Sequence, residues 1–416
     1  MVESKPKAGF FVQRRHKAIA SPTLTQFKSQ ISTPSYTGID NNGIPDGPLG
    51  ISSTPLDNQA LSDIDRCFKR CSKRIGQRLN QYPDRQGELM LRQALSDHFY
   101  QQGFGFTPQN VVVTHGGMSA VKTALESCTQ AGDTVAISSP CFSGLLEIIH
   151  QMRLRVVEIP STKEGVDLEQ FEFHLRNNNI QAGLFCTSHM NPQGINMSAD
   201  QKRKLAYLAA KYQTPVIEDD VYVELSHNDE FPLPAKHYDT EGYILWCGSV
   251  SKTLSPAYRL GWCLPGRYLQ SYISAFSTAS YGVALPIQVA IADFIDSGLY
   301  GKYVKRKRTQ LLQQKHQYTD FLRQHLPLGS KISSPKGGLV LWVQVPGLTS
   351  EALSNASIAK QLDIRAGKVF TSLPLYGDCF RVNMGHPFSP DVKQELEKLI
   401  TVIEQAQTHI IEPSKS

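Results

Sequence analysis

The run Ser249-Val250-Ser251-Lys252-Thr253-Leu254-Ser255-Pro256-Ala257-Tyr258-Arg259-Leu260-Gly261-Trp262 sets Lys252 among hydroxyl side chains, with Arg259 seven residues further on. An apolar stretch at 243–247 reads as the strand that delivers this turn. A lysine crowded at a strand end loses its proton readily, and its neutral amine condenses with an aldehyde. Serine hydroxyls and a guanidinium fork hold a phosphate. A small molecule carrying both an aldehyde and a phosphate suggests pyridoxal 5'-phosphate, and the run reads as its anchor. Taken alone, the same run also describes a solvated surface loop. The weight therefore falls on what the other strand ends carry.

Three further turns follow expected strands. Gly116-Gly117-Met118-Ser119 follows 111–113 and opens a helix, so Gly116, Gly117 and Met118 offer backbone N–H groups and the positive end of the helix dipole to a phosphate. Ser119 adds a hydroxyl nearby. Asn191-Pro192-Gln193-Gly194 follows 182–186, and Glu218-Asp219-Asp220-Val221-Tyr222 closes 215–218. A carboxylate facing the pyridine nitrogen keeps it protonated and makes the ring an electron sink. Asp219 suits that role and Asp220 competes for it. Singly, each of these pieces is a turn or a cap.

The elements that must position these turns alternate along the chain. Strands are expected at 111–113, 134–137, 155–159, 182–186, 215–218 and 243–247. Helices are expected at 120–128, 145–152, 168–176 and 199–212, the last capped by Ser198. Such alternation implies an α/β fold with a mainly parallel sheet covered by helices on both faces, whose ligands sit at the carboxyl ends of the strands. A long helical pattern from 285 to about 326 leads to a smaller α+β part with apolar runs at 339–345, 369–371 and 380–383 and a last helix over about 390–407. The expected division is a basic, turn-rich arm or linker over 1–60, a large cofactor-binding domain over 61–290 and a small C-terminal domain over 291–416.

Composition excludes several classes. The chain has 416 residues, no apolar run near the ~18 residues that span a membrane, and no hydrophobic signal core behind Met1. Its eight cysteines show no C-x-x-C spacing, which argues against a zinc site or a disulfide framework and for a reduced, cytoplasmic protein. Four of the six net positive charges fall within residues 1–17, so the chain has a basic arm rather than a basic body. The stretch 302–308, with five lysines and arginines, reads as a solvated helix face.

Together, N-P-x-G at 191–194, D-D-x-Y at 219–222 and the lysine run ending in R-L-G-W resemble the aspartate-aminotransferase superfamily, the class I/II, fold-type-I enzymes that use pyridoxal phosphate, over roughly residues 35–405. The resemblance implies that Lys252 holds the aldehyde and moves a proton, that Asp219 faces the pyridine nitrogen, and that Tyr222 and Asn191 reach the cofactor's phenolic oxygen. Ser249, Arg259 and the 116–118 turn would hold the phosphate. Phe142, in Ser139-Pro140-Cys141-Phe142, matches the aromatic that stacks on the ring, where many relatives carry tyrosine. Many relatives also have a hydroxyl residue where Gly117 stands, which puts more of the phosphate cup on backbone donors. Tyr82, in Tyr82-Pro83-Asp84-Arg85-Gln86-Gly87, matches the tyrosine that reaches the neighbouring subunit's phosphate, implying a homodimer. Arg381, in Phe380-Arg381-Val382-Asn383, matches the arginine that clamps a substrate α-carboxylate, with Asn191 beside it.

The N-terminal Val2-Glu3-Ser4-Lys5-Pro6-Lys7-Ala8-Gly9-Phe10-Phe11-Val12 resembles the wing hairpin of the winged-helix domain of GntR regulators, which in the MocR group precedes an aminotransferase-like domain. Groove-reading helices would have to lie upstream of Met1, and DNA is a partner only if they do. Two functions follow. One is an aminotransferase acting on an α-amino acid and a 2-oxo acid. The other is an effector domain that senses pyridoxal phosphate and an amino compound.

Overall fold

The computed structural model describes residues 2–5, 9–12, 19–34 and 44–411. The central strands are continuous apolar runs: Val135, Ala136, Ile137, Leu184, Ile217 and Leu245 have no exposed surface. Strands buried on both faces need helices on both sides, and a right-handed crossover helix between successive strands makes them parallel. Across the sheet the strands run Ile31–Ser32, Arg155–Thr162, Thr134–Ser139, Ala182–Phe185, Val216–Asp219, Ile244–Ser249, Gly261–Leu264 and Val112–Thr114. The five from Arg155–Thr162 to Ile244–Ser249 are parallel. Gly261–Leu264 runs antiparallel to both its neighbours, so Val112–Thr114 points the same way as the parallel set.

This topology gathers the chemistry at one edge. The carboxyl ends of Val112–Thr114, Val216–Asp219 and Ile244–Ser249 all face it, and Gly261 enters beside Ser249 and Thr114. Gly261 is a close-approach glycine: a Cβ there would lie 2.6 Å from the Gly116 carbonyl carbon. The expected strands and helices of this region are present, with ends shifted by a few residues. Helix Gly117–Cys128 starts three residues before its apolar pattern does.

A second, four-stranded antiparallel sheet joins Lys331–Ile332, Val340–Gln344, Cys379–Asn383 and Arg365–Ala366. The last helix, Pro390–Ile411, packs on it through Leu396, Leu399 and Ile403. The expected single helix over 285–326 is two, Leu285–Asp296 and Leu299–His325. They break at Gly298, whose φ of 71° is left-handed backbone that glycine adopts without penalty.

The stretch 302–308 corrects the expectation of a solvated face. Lys302 and Lys305 are exposed, but Lys307 is buried and donates to the Pro55 carbonyl at 2.6 Å, while Arg308 Nε donates to the Glu224 carbonyl at 2.7 Å. Charges on successive turns cannot all face water when the helix buries Tyr303 and Val304 between them. All eight cysteines are unpaired, and the described residues contain no metal-ligating cluster. No helix among them is long and apolar enough to cross a membrane. Val2–Lys5 and Gly9–Val12 form an antiparallel hairpin with Val2 opposite Val12.

Two glycines give opposite stability outcomes. Gly261→Ala should lower stability by about 1–3 kcal/mol, because backbone must move to admit the methyl group. Gly301→Ala, in helix Leu299–His325 with nothing near its would-be Cβ, should raise it by about 0.5–1 kcal/mol. Urea unfolding of the two variants against the parent chain reads both signs.

Candidate active site

A cavity of about 140 Å³ opens at the carboxyl edge of the large sheet. Its walls include Gly117, Met118, Phe142, Asn191, Asp219, Tyr222, Ser249, Lys252 and Arg259. These nine come from five separate strand ends, as the parallel topology requires.

Lys252 directly follows a hydrogen-bonded serine pair, Ser249 Oγ and Ser251 Oγ at 2.8 Å. Its Nζ donates to the Ser52 carbonyl at 2.6 Å. Desolvation, reinforced by the nearby Arg381 and Arg259 and opposed by Asp219, brings the amine down to about 8. Asp219 moves the other way: burial pushes its carboxyl up to about 6, against the pull of Lys252 and the Val221 N–H. Lysine and aspartate thus line one cavity, with pKa values drawn together by desolvation.

Asp220, the competing carboxylate, is excluded by direction. It accepts from Trp246 Nε1 at 3.0 Å and is influenced by the buried Lys202, away from the cavity. Strand alternation puts neighbouring side chains on opposite faces. Asp219 lines the cavity and Asp220 does not.

The anion cradle is built from backbone and guanidinium. Helix Gly117–Cys128 has no side-chain cap, so its first N–H groups are open. Gly116, with φ 87°, sits outside the cavity lining but lets Arg259 close in: a Cβ there would be 2.9 Å from Arg259 Nη2. Arg259 is itself left-handed, φ 46°, and donates to the His115 carbonyl at 3.0 Å. A Cβ on Gly117 would lie 2.9 Å from Val221, so a hydroxyl side chain there would need the wall to move.

Arg381 lies behind Asn191. It donates to Asn191 Oδ1 at 3.0 Å and also bonds the Gly50 carbonyl, while its Nε is buried with no partner among the described residues. Asn191 Nδ2 donates to Tyr222 Oη at 3.3 Å, and Tyr222 Oη meets Ser52 Oγ at 3.0 Å. Burial pushes the Tyr222 phenol up to about 12, so it stays protonated. Tyr82 is 86% exposed, lies against Tyr281 with ring centroids 5.7 Å apart, and does not line its own chain's cavity. Ser119 is not in the lining either.

Sequence reasoning missed the strap at 49–54. Gly50 and Ser52 touch Arg381, Tyr222 and Lys252, three of the central residues. The only signal was its turn-rich composition, which carries no register. Ser251, Val221 and Cys186, also in the lining, were likewise not expected.

The class I and II aminotransferase model matches residues 48–403. The chain belongs to that family. Its relatives include the HTH-type transcriptional regulator YdcR of Escherichia coli (strain K12), 31% identical over 321 residues, 77% of this chain and 69% of that one. Its fold matches an archaeal alanine:glyoxylate aminotransferase, TM-score 0.80 at 20% identity, over 88% of this chain and 92% of the other. It also matches the kynurenine aminotransferase of Pyrococcus horikoshii, TM-score 0.77 at 22% identity, again over 88% and 92%.

The opposed charges give a pH test. In the cofactor-free chain, reductive labelling of Lys252 by a small aldehyde should rise with a midpoint near 8, well below that of surface lysines. Arg381→Gln removes a neighbouring positive charge and should move the midpoint up. Asp219→Asn removes the attractive one and should move it down. Peptide-resolved mass spectrometry follows each, and a midpoint at the ordinary lysine value would contradict the assignment.

Proposed function

We propose that the chain is a pyridoxal phosphate-dependent aminotransferase that moves an amino group between an α-amino acid and a 2-oxo acid. The observation that carries this reading is Lys252, an amine held near neutrality in a cavity whose other walls supply a carboxylate and an anion cradle. The donor set fits the cofactor: Ser249, Arg259 and the N–H groups of Gly117 and Met118 for the phosphate, with Gly116 making room for Arg259, Phe142 for the ring, Asp219 for the pyridine nitrogen, and Asn191 with Tyr222 for the phenolic oxygen. When bound, pyridoxal phosphate supplies an aldehyde and a ring that accepts the electron pair left at the substrate's Cα.

The chain's own groups do the rest. Asp219, ionised above about pH 6, holds a proton on the ring nitrogen. Lys252 Nζ, neutral above about 8, would take the proton from Cα and deliver it to the carbon that had been the cofactor's aldehyde. Arg381 Nη1 bonds only Asn191 Oδ1 and its Nε has no partner among the described residues, so the guanidinium keeps N–H donors with which it would bind a substrate carboxylate and fix Cα. Tyr222, protonated at neutral pH, remains a donor. Tyr82, exposed on the surface with Tyr281, is assigned to the partner's phosphate in a homodimer. We divide the chain into an arm over 1–60, a cofactor domain over 61–290 and a small domain over 291–416; the arm's strand Ile31–Ser32 pairs with the large sheet. The unpaired cysteines suit a cytoplasmic setting.

A second reading, the sensing domain of a MocR-type regulator, is favoured by the 2–12 hairpin and the similarity to YdcR. Turnover separates the two. Adding an amino acid to the loaded chain should convert its visible absorbance to that of the amine form of the cofactor, and a 2-oxo acid should restore it. A shifted band that persists favours the sensor.

Lys252→Ala should lose both the band and the conversion. Arg381→Gln should keep the band but lower kcat/KM by roughly two orders of magnitude, about 3 kcal/mol for two charge-assisted hydrogen bonds. An Arg381→Gln variant with unchanged kcat/KM would remove the carboxylate clamp from the account.

A further inference from the structure

A second cavity, about 800 Å³, lies behind the cofactor cavity, between the 193–199 and 230–238 segments, the 333–336 turn and the arm at 21–24. The two cavities share a wall. The turn after Ala182–Phe185 is closed by Met190 N–H to the Ile195 carbonyl at 2.7 Å and Gly194 N–H to the Met190 carbonyl at 2.5 Å. Asn191 faces the cofactor side of this turn, whereas Gln193, Gly194 and Ile195 line the second cavity. Trp342, another wall, pairs across the strands with Arg381.

The lining has a chemical bias. Ile195, Met197, Phe231 and Leu233 give an apolar surface. Lys163 and Lys336, both exposed, add positive charge to it. Lys202, deeper, is already held by Ser188 Oγ at 2.9 Å and the Leu233 carbonyl at 3.0 Å. Glu230 is the one carboxylate of the lining. Gln193 is only 7% exposed, yet its Oε1 has no partner among the described residues, and Asn196 Oδ1 has none either. Buried amides without partners are rare in folded chains and mark a place where a ligand or water completes the bonding.

We propose that this second cavity binds a small organic anion with an apolar body, and that its occupant is felt at Asn191 and Arg381 through the 190–195 turn. The anion lies between Lys163 and Lys336, the apolar body lies on Ile195 and Phe231, and the Gln193 amide bonds a polar group between them. A ligand bound here and a ligand bound at the cofactor cavity would then change each other's affinity by one common factor.

The test is calorimetric titration of the full chain with 4-phenylbutyrate and, separately, with phenyl phosphate, with and without pyridoxal phosphate. One of the two should bind at a single saturable site in the cofactor-free chain, and the better head group names the anion as carboxylate or phosphate. The double variant Lys163→Gln, Lys336→Gln should weaken that binding at least about tenfold, roughly 1.4 kcal/mol. Ile195→Trp, which crowds the surface where the apolar body lies, should weaken it likewise, while the chain still loads pyridoxal phosphate. The bound probe should also move the labelling midpoint of Lys252. Binding of neither probe, binding indifferent to all three substitutions, or simple displacement by pyridoxal phosphate would overturn the site. Binding with an unmoved Lys252 midpoint would overturn the coupling. None of these outcomes depends on turnover, so failure of the aminotransferase reading is separately visible.

Discussion

The site depends on keeping Lys252 out of water beside Asp219. An ammonium and a carboxylate in bulk solvent would both stay ionised and inert. Desolvation raises one and lowers the other, and the guanidinium groups of Arg381 and Arg259 add to the pull on the lysine. The surrounding structure maintains that dryness. The parallel sheet brings Asp219 and Lys252 to one edge, Gly261 lets the Arg259 turn approach the Gly116 backbone, and the strap at 49–54 closes over the amine. Loosening any of these readmits water, and the two pKa values relax apart.

A second polar network shows how the same fold spends ionisable groups on structure. Glu224 takes His98 Nε2 at 2.6 Å and the Tyr300 hydroxyl at 2.5 Å, and Tyr300 reaches Thr253 at 3.0 Å. Tyr303 holds the Thr253 carbonyl at 2.8 Å. The residue after Lys252 is therefore pinned from the helix Leu299–His325, which fixes the turn that carries the amine. Fully satisfied networks of this kind rigidify the elements they join.

Much of this was legible in the chain. The alternation of apolar runs with amphipathic stretches gave the parallel sheet, and the turns at its strand ends, with the family resemblance they carry, pointed to nine residues that line one cavity. What stayed hidden needs a third dimension. Whether Asp219 or Asp220 faces inward depends on strand register, set by pairing with Ile244–Ser249. The Gly50 and Ser52 contacts belong to a segment without period, about 200 residues from Lys252 along the chain. Lys307 reads as surface because its burial depends on Pro55 and Thr54 being carried to it. Tyr82 is exposed and lines no part of the cavity in its own chain, a placement its local sequence does not reveal.

Lys252 has rivals that make its selection a sharp question. Burial also brings Lys307 down to about 8 and lowers Lys202, so a depressed amine is not unique to the cavity. The direct measurement is borohydride reduction of the chain loaded with pyridoxal phosphate, followed by mapping of the modified lysine by mass spectrometry. The account predicts stoichiometric modification of Lys252, with Lys202 and Lys307 untouched. Modification elsewhere, or none, would contradict it.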